Sequence, residues 1–455
     1  MITALAPPAL APPSLALRMP RALLDPRLDL GPVGADGLVA VRLEQHQGRV
    51  TSLTPLAGAG PRPGEAPLPL ALTPLVEPHA HLDKCYSAEA FPNWEGTMAQ
   101  ALALNQCEYQ QRSAELVHRR AERALQRAWC QGLRAIRSHI DSVGPGARPS
   151  WEALLALRQA WAARLELQLV ALAPVTHWLG PEGEPMARWV GKHGGLLGGV
   201  IGPPYAGGPA DRRALEALLR LAERWGCGVD LHVDEADRQP GRGVALVAAA
   251  ARRLATTVPI TCSHASSLAL LAERPQQQLA EQLAASGIAV VALPTTNAWL
   301  LGRRAGRTPL LRPQAPVHEL QRAGVAVAVG GDNVQDPWFP GGDFDPIELL
   351  RFSVVAAHLH PWRRLGLAPF TTGAARVLGL AWDGVLRCGG PADLVVLAAS
   401  SWPELLARNP QRWVLRGGGV VYGPWSLGAA SFQPWAGSDL QDAADRRHDA
   451  GFTDA

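Results

Sequence analysis

The stretch Leu70-Ala71-Leu72-Thr73-Pro74-Leu75-Val76-Glu77-Pro78-His79-Ala80-His81-Leu82-Asp83 governs how the rest of the chain is read. Its apolar opening predicts a strand. Residues two apart on a strand share a face, so His79 and His81 present two imidazoles together at the strand's C-terminal end. Two imidazoles so placed can bind one metal ion. The alternative is a histidine pair lying by chance in a loop, and a lone His-x-His does not decide between the two.

Outward from this stretch, the text from Leu75 to about Leu380 alternates apolar runs with amphipathic helical segments, the pattern of βα units. Eight runs occur in order: Leu75–Val76 with its upstream residues, Leu133–Ile140, Leu165–Leu172, Leu196–Ile201, Gly228–His232, Val258–His264, Ile288–Leu293 and Val325–Val329. Helical stretches between them include Met98–Gln131, Asp211–Trp225 and Pro346–His360. Eight units over this length predict an α/β fold, a (β/α)8 TIM barrel, across residues 75–383. A doubly wound sheet is the other reading, but no Gly-x-Gly-x-x-Gly follows the first strand.

Before the barrel, residues 1–33 read as an N-terminal arm in which Pro7-Pro8 and Pro12-Pro13 break any helix. Two short strands, 37–43 and 48–53, flank the turn-prone Gln47-Gly48 and predict a hairpin. A Gly/Pro-rich linker follows from Ala57 to Pro69. After the barrel, Gly389–Leu397 and Trp413–Tyr422 form a second β-rich patch. The segments 34–74 and 384–430 are expected to pair into one small β-sandwich, with a polar tail over 431–455.

Composition narrows the function class. At 455 residues with 47% apolar content, the chain is long enough for a barrel and an accessory domain. A formal charge of +3 with no Lys/Arg run gives no reason to expect nucleic acid as a partner. Six dispersed cysteines with no Cys-x-x-Cys pair argue against a disulfide scaffold and a structural zinc site. No window approaches a membrane span, and Met1–Pro26 lacks the pattern of a signal peptide, so a cytoplasmic protein is expected.

In a barrel of this kind reactive groups sit at the C-terminal ends of the strands. Those ends here carry His79 and His81, Ser138-His139-Ile140-Asp141, His232-Val233-Asp234-Glu235, Ser263-His264 and Gly331-Asp332-Asn333. Five of the chain's 13 histidines fall at these positions, which random placement would not produce. Three neutral imidazoles and a carboxylate suit zinc or ferrous iron with one position left for water. Such an ion brings the water's pKa towards about 7. A nearby carboxylic acid then moves its proton to a leaving nitrogen, and Glu235 is the natural candidate. His264 is placed to hold the water. Against this, Glu235 also reads as a solvated loop acid and Asp332 as a turn cap, the lesser reading of each. His139 and Asp141 read as supports for the ligands.

The ordered set of motifs resembles the amidohydrolase superfamily, and within it the cytosine deaminase branch, over residues 34–425. The motifs are Val76–Asp83, Pro92-Asn93-Trp94, Arg137–Asp141, His232–Asp237, Ser263-His264-Ala265, Leu301-Gly302-Arg303, Gly331–Trp338 and Pro391–Val395. The resemblance implies one divalent metal ion, zinc or Fe(II), bound by His79, His81, His232 and Asp332. It also implies Glu235 as proton shuttle, His264 as the group that orients water, and a small heterocyclic substrate. Ile201-Gly202-Pro203-Pro204 supplies no lysine after the fourth strand, which argues against the two-metal subtype.

Two departures bear on specificity. That branch carries a glutamine just past the third strand, where Ala173-Pro174-Val175 stands here, and Val175 cannot read a polar ring edge. Its Asp-Asp pair after the eighth strand is Asp332-Asn333. Asn333, Trp338, Val175 and His177 are therefore expected at the substrate. The Leu82-Asp83-Lys84 spelling is similar to that of relatives acting on aminated triazines. The expected reaction is hydrolytic deamination by metal-activated hydroxide. The alternative is hydrolysis of an N-substituted aminotriazine or a cyclic amide, and a silent metal-binding protein is the third reading. Homo-oligomers are common in such relatives, so one is expected.

Overall fold

In the computed structural model, which describes residues 9–56, 66–205 and 208–423, the apolar run Leu70–Val76 is two strands rather than one. Ala71–Leu72 and Leu75–Ala80 belong to different sheets, and the break falls at Thr73-Pro74. Pro74 has no N–H to donate to a ladder, so the chain changes sheets there. The second strand runs further than expected and carries His79 inside its last turn of ladder, with His81 just beyond.

That strand, β1 (Leu75–Ala80), opens an eight-stranded parallel sheet. The others are β2 (Leu133–Asp141), β3 (Glu166–Leu172), β4 (Leu196–Ile201), β5 (Val229–Val233), β6 (Ile260–His264), β7 (Ala289–Ala292) and β8 (Val327–Val329). They pair in sequence order, and an Ala80–Asp332 bridge brings the end of β1 to the loop after β8. This is the (β/α)8 barrel expected from the eight runs, with helices between the strands.

Local chemistry accounts for the helices. Ser113 caps Ala114–Gln131 by accepting a hydrogen bond from Leu116 N–H at 3.1 Å, and Gly132 ends it at φ 95°. Its buried residues Val117, Ala121, Ala124, Leu125 and Ala128 recur at helical spacing and cover the sheet. The stretch Met98–Gln131, read as one helix, is two: Met98–Gln110 ends before Arg112, whose side chain turns inward to three carboxylates.

The barrel unit spans Thr73–Val385; a second compact unit takes the described residues up to Leu72 and from Leu386 onward. The second unit has a five-stranded sheet ordered Ala9–Leu10, Gly419–Tyr422, Arg412–Arg416, Leu394–Leu397 and Ala71–Leu72. A three-stranded sheet, Ser14–Pro20, Leu38–His46 and Arg49–Pro55, shares one core with it. Leu17, Met19, Val41 and Leu43 meet Leu394, Val396, Trp413 and Leu415 there. The hairpin turns at Gln47 (φ 48°) and Gly48 (φ 77°), the pair of positive angles a two-residue type I′ turn needs.

The N-terminal arm is corrected by this arrangement. Ser14–Pro20 pairs residue for residue with Leu38–Glu44, so these seven residues of the supposed arm are sheet. Residues 57–65 of the linker and the whole tail from 424 lie outside the described residues. No described helix is long and apolar enough to cross a membrane.

Candidate metal centre and active site

The ends of β1, β5 and β8 bring four donor atoms together. His81 Nε2 lies 3.3 Å from His232 Nε2 and 3.3 Å from Asp332 Oδ1, and His79 Nε2 is 3.5 Å from the same oxygen. Ligands on a tetrahedron with metal–nitrogen bonds of about 2.05 Å stand about 3.3 Å apart. These three separations are those of ligands sharing one divalent ion, and His79, His81 and His232 offer ligand atoms within 4.8 Å of one another. All four side chains are at most 7% exposed. His79 Nε2 and both Asp332 carboxylate oxygens make no hydrogen bond. Buried acceptors facing one another without a donor between them are unfavourable unless a cation satisfies them.

Protonation agrees with that fit. Burial, then the neighbouring histidines, holds His79 well below its ordinary value. Burial also brings His81 and His232 down to about 3. All three are neutral at pH 7, the form that ligates. Burial raises Asp332 to about 6, a tendency that His232 opposes.

The backbone fixes the donors. Asp332 N–H donates to His79 O at 3.0 Å, tying Asp332 to the first strand. Glu77 accepts from the N–H groups of His79 and Gly331, which shapes the turns that carry His79 and Asp332. Asp332, Asp234, His264 and Ala265 all sit at positive φ, between 50° and 69°. Non-glycine residues held there are strained, and such strain gathers at sites where side chains must be aimed.

Glu235 follows β5 on a loop anchored by Asp234. The Asp234 carboxylate accepts from the N–H groups of Gly243 and Val244 at a helix N-terminus and from the Tyr205 hydroxyl. Ser266 and Ser267 donate to Asp234 O, joining the β5 and β6 loops. Glu235 Oε1 then lies 3.6 Å from His264 Nδ1. Burial, reinforced by the Asp332 charge, pushes Glu235 well above the usual carboxylate range. Asn297 Nδ2, which can only donate, is 3.1 Å from His264 Nδ1, so the ring proton belongs on Nε2. That Nε2 is buried and makes no hydrogen bond.

The structure distributes the remaining expected residues differently. Asp141 does not touch the histidine rings; its carboxylate binds Lys84 Nζ at 2.8 Å and Arg112 at 2.9 Å. Arg112 also holds Asp83 and Glu108, so a buried ion cluster underlies the turn after His81. His139 does belong to the cluster, its ring stacked on His79 at 3.9 Å. The Asn333 amide is occupied by protein groups, donating to Asp336 and accepting from Thr296. Trp338 donates to Asn105 and Asp336. Val175 is buried at the start of a short 3-10 turn, where a Cβ added at Gly199 would meet it at 3.5 Å. His177 is half-buried, and its ring meets Trp178 rather than the histidine cluster. A cavity of about 400 Å³ opens beside Asp332 and Asn333, walled by Trp299, Phe339, Phe344 and Phe352.

Several contributors were missed in the sequence: Glu77, Asp230, Ser263 and Asn297. Glu77 and Asp230 stand two residues before His79 and His232, on the same strand face, so the period-two rule was signal enough for both. Ser263 and Asn297 have no comparable signal.

Comparison with known proteins follows the same lines. Residues 95–422 match the amidohydrolase family, a span that takes in His232, Glu235, His264 and Asp332. Over 346 residues the chain is 37% identical to pterin deaminase of Rhizobium rhizogenes, covering 75% of this chain and 78% of that one. Among solved structures it resembles 5-methylcytosine deaminase of Klebsiella pneumoniae liganded with 5-fluorocytosine. That likeness has a TM-score of 0.76 and 26% identity over 92% of this chain and 99% of the other. N-isopropylammelide isopropylaminohydrolase of Burkholderia multivorans gives a TM-score of 0.67 at 26% identity, covering 90% and 98%.

Proposed function

The chain belongs to the amidohydrolase family, and from that premise we propose a divalent-metal-dependent hydrolase that removes an exocyclic amine from a small nitrogen heterocycle. The observation that carries this reading is the convergence of His79, His81, His232 and Asp332 near a buried Glu235, whose carboxyl burial pushes well above the usual range. Held by those four residues, the ion supplies Lewis acidity that makes water a nucleophile near neutral pH. Histidine and carboxylate donors suit zinc and ferrous iron alike. Metal analysis of the purified chain decides between them. Six free cysteines, two of them exposed, fit a reducing compartment such as the cytoplasm.

The chain's own groups account for the proton movements. Glu235 donates its proton to a ring nitrogen as the water-derived oxygen adds to the adjoining amidine carbon. The carboxylate left behind takes the proton from the new hydroxyl and passes it to the amine, which leaves as ammonia. His264 donates from Nε2 to the oxygen that gains negative charge, with its tautomer set by Asn297. Val175 offers no polar edge, so cytosine itself is expected to be a poor substrate.

An ammonia-release screen over pterins, 5-substituted cytosines and aminotriazines tests the proposal. Ammonia from one of these classes supports it. The likeness to the isopropylaminohydrolase favours a second reading, in which an N-alkylated ring loses its alkylamine on the same site. Alkylamine release without ammonia selects that reading, and no release of either from any class overturns both.

A further inference from the structure

Below the four ligands, the barrel interior contains a polar layer where close-packed Val, Ile and Leu are usual. Arg137 Nη1 donates to Asp230 Oδ2 at 2.8 Å, and the two side chains are 4% and 0% exposed. Arg137 also donates to Thr261 Oγ1, Gln168 Oε1 and the Val377 carbonyl, so every face of its guanidinium is held. A buried ion pair is weak evidence for stability, because apolar residues of similar volume often serve as well. Its presence calls for another reason.

The reason lies one layer up. The other Asp230 oxygen, Oδ1, accepts the Ser263 hydroxyl at 2.8 Å. Ser263 Oγ in turn stands 2.9 Å from His79 Nδ1. Because the Ser263 proton points to Asp230, its oxygen is left to accept, and His79 must donate from Nδ1. That tautomer leaves His79 Nε2 unprotonated, and Nε2 is the atom facing Asp332. Asp230 is turned towards the metal-site layer on its remaining side as well, with His139 Nε2 at 3.7 Å from Oδ1.

We infer that Arg137, Asp230 and Ser263 form a positioning relay that fixes the tautomer and aim of His79 and thereby sets metal affinity. The relay is directional at every bond. Arg137 holds the carboxylate, the carboxylate turns the serine hydroxyl, and the serine oxygen takes the imidazole proton. Partners of this type behind a ligating histidine typically change metal affinity by about 10–100-fold. The inference rests on the reading of His79, His81, His232 and Asp332 as the ligand set.

The test uses the full chain, with zinc affinity measured by competition against a chromophoric chelator and melting of the metal-free protein measured alongside. Ser263→Ala is expected to bind zinc about 10–100-fold more weakly while the metal-free melting temperature changes little. Ser263→Thr, which keeps the hydroxyl, is expected to restore the affinity. Undiminished zinc affinity in Ser263→Ala, or no recovery in Ser263→Thr, overturns the relay. Should the alanine variant fail to fold, Asp230→Asn carries the same comparison, since its amide cannot accept from both Arg137 and Ser263. A parent chain that binds no zinc or ferrous iron overturns the ligand set itself, which separates the two failures.

Discussion

Glutamine at position 235 would keep the size of the side chain and one accepting oxygen while removing the exchangeable proton. Because Glu235 is not among the four donor atoms, Glu235→Gln is expected to retain the metal and lose about 10²–10⁴-fold in turnover. Metal content and ammonia release measured on the same preparation check this, and a variant that turns over normally would remove Glu235 from the mechanism. Asp332→Ala is expected to differ in kind. It takes away the one carboxylate donor, so metal content falls along with activity, again by direct analysis. The residues of this proposal could be picked out because the barrel's topology puts strand ends in one place, and a histidine or acid is visible in the text at five of the eight ends. The residues behind them were less visible. Ser263 and Asn297 are ordinary polar residues whose value lies in distances of 2.9 and 3.1 Å to particular ring nitrogens, and such distances have no sequence period. Val175, His177 and Asn333 were expected at the substrate by analogy of position. Asn333 lines the cavity beside Asp332, with its amide paired to Asp336 and Thr296.

At the scale of single elements, the break between the helices Met98–Gln110 and Ala114–Gln131 has an energetic cause. Arg112 leaves the helical path to meet Asp83, Glu108 and Asp141, each within 2.9 Å, with its own side chain fully buried. Removing the cation leaves three carboxylates with only Lys84 and Arg120 to balance them. Arg112→Met is therefore expected to destabilise the chain by about 3–5 kcal/mol, read from urea unfolding. A change under about 1 kcal/mol would show that the cluster relaxes or hydrates without it. The hairpin at Gln47-Gly48 makes a second, independent case. Gly48 sits at φ 77°, and a Cβ there would come within 2.5 Å of Gly417 O, closer than real contacts allow. Gly48→Ala is expected to destabilise by about 1–3 kcal/mol in the same assay. The hairpin was legible from its turn residues. The strand Ser14–Pro20 was not, because flanking prolines masked it and its ladder partner begins 18 residues further along.

For the molecule as a whole, the histidine cluster couples metal, pH and folding. In the metal-free chain, burial brings His81 and His232 down to about 3, whereas an unfolded histidine titrates near 6.5. Between those values the unfolded chain binds protons that the folded chain refuses. The share of stability these two histidines give is therefore fully present above about pH 6.5 and falls as the solution is acidified towards pH 3. Buried carboxyls work the other way: burial raises Glu77 to about 8, Asp336 to about 7 and Asp332 to about 6, so the stability they give grows on acidification through those values. Each histidine contributes a slope of about 1.4 kcal/mol per pH unit in its own window, so these two alone remove roughly 4 kcal/mol between pH 7 and pH 5. That is a large part of the 5–15 kcal/mol typical of a folded protein. A bound ion acts in the opposite direction. It stabilises only the folded chain, by about 4 kcal/mol at a thousandfold excess over its dissociation constant, and it keeps protons off the ligands until it leaves. Urea unfolding at pH 7 and pH 5, with chelator and with added zinc, separates the contributions. Because the buried carboxyls offset the histidines, the metal-free curve is expected to shift by less than about 4 kcal/mol between the two pH values, and zinc is expected to stabilise more at pH 7 than at pH 5, where protons compete for its ligands. A metal-free loss of about 4 kcal/mol or more from pH 7 to pH 5 would mean that Glu77, Asp332 and Asp336 stay ionised in the folded chain.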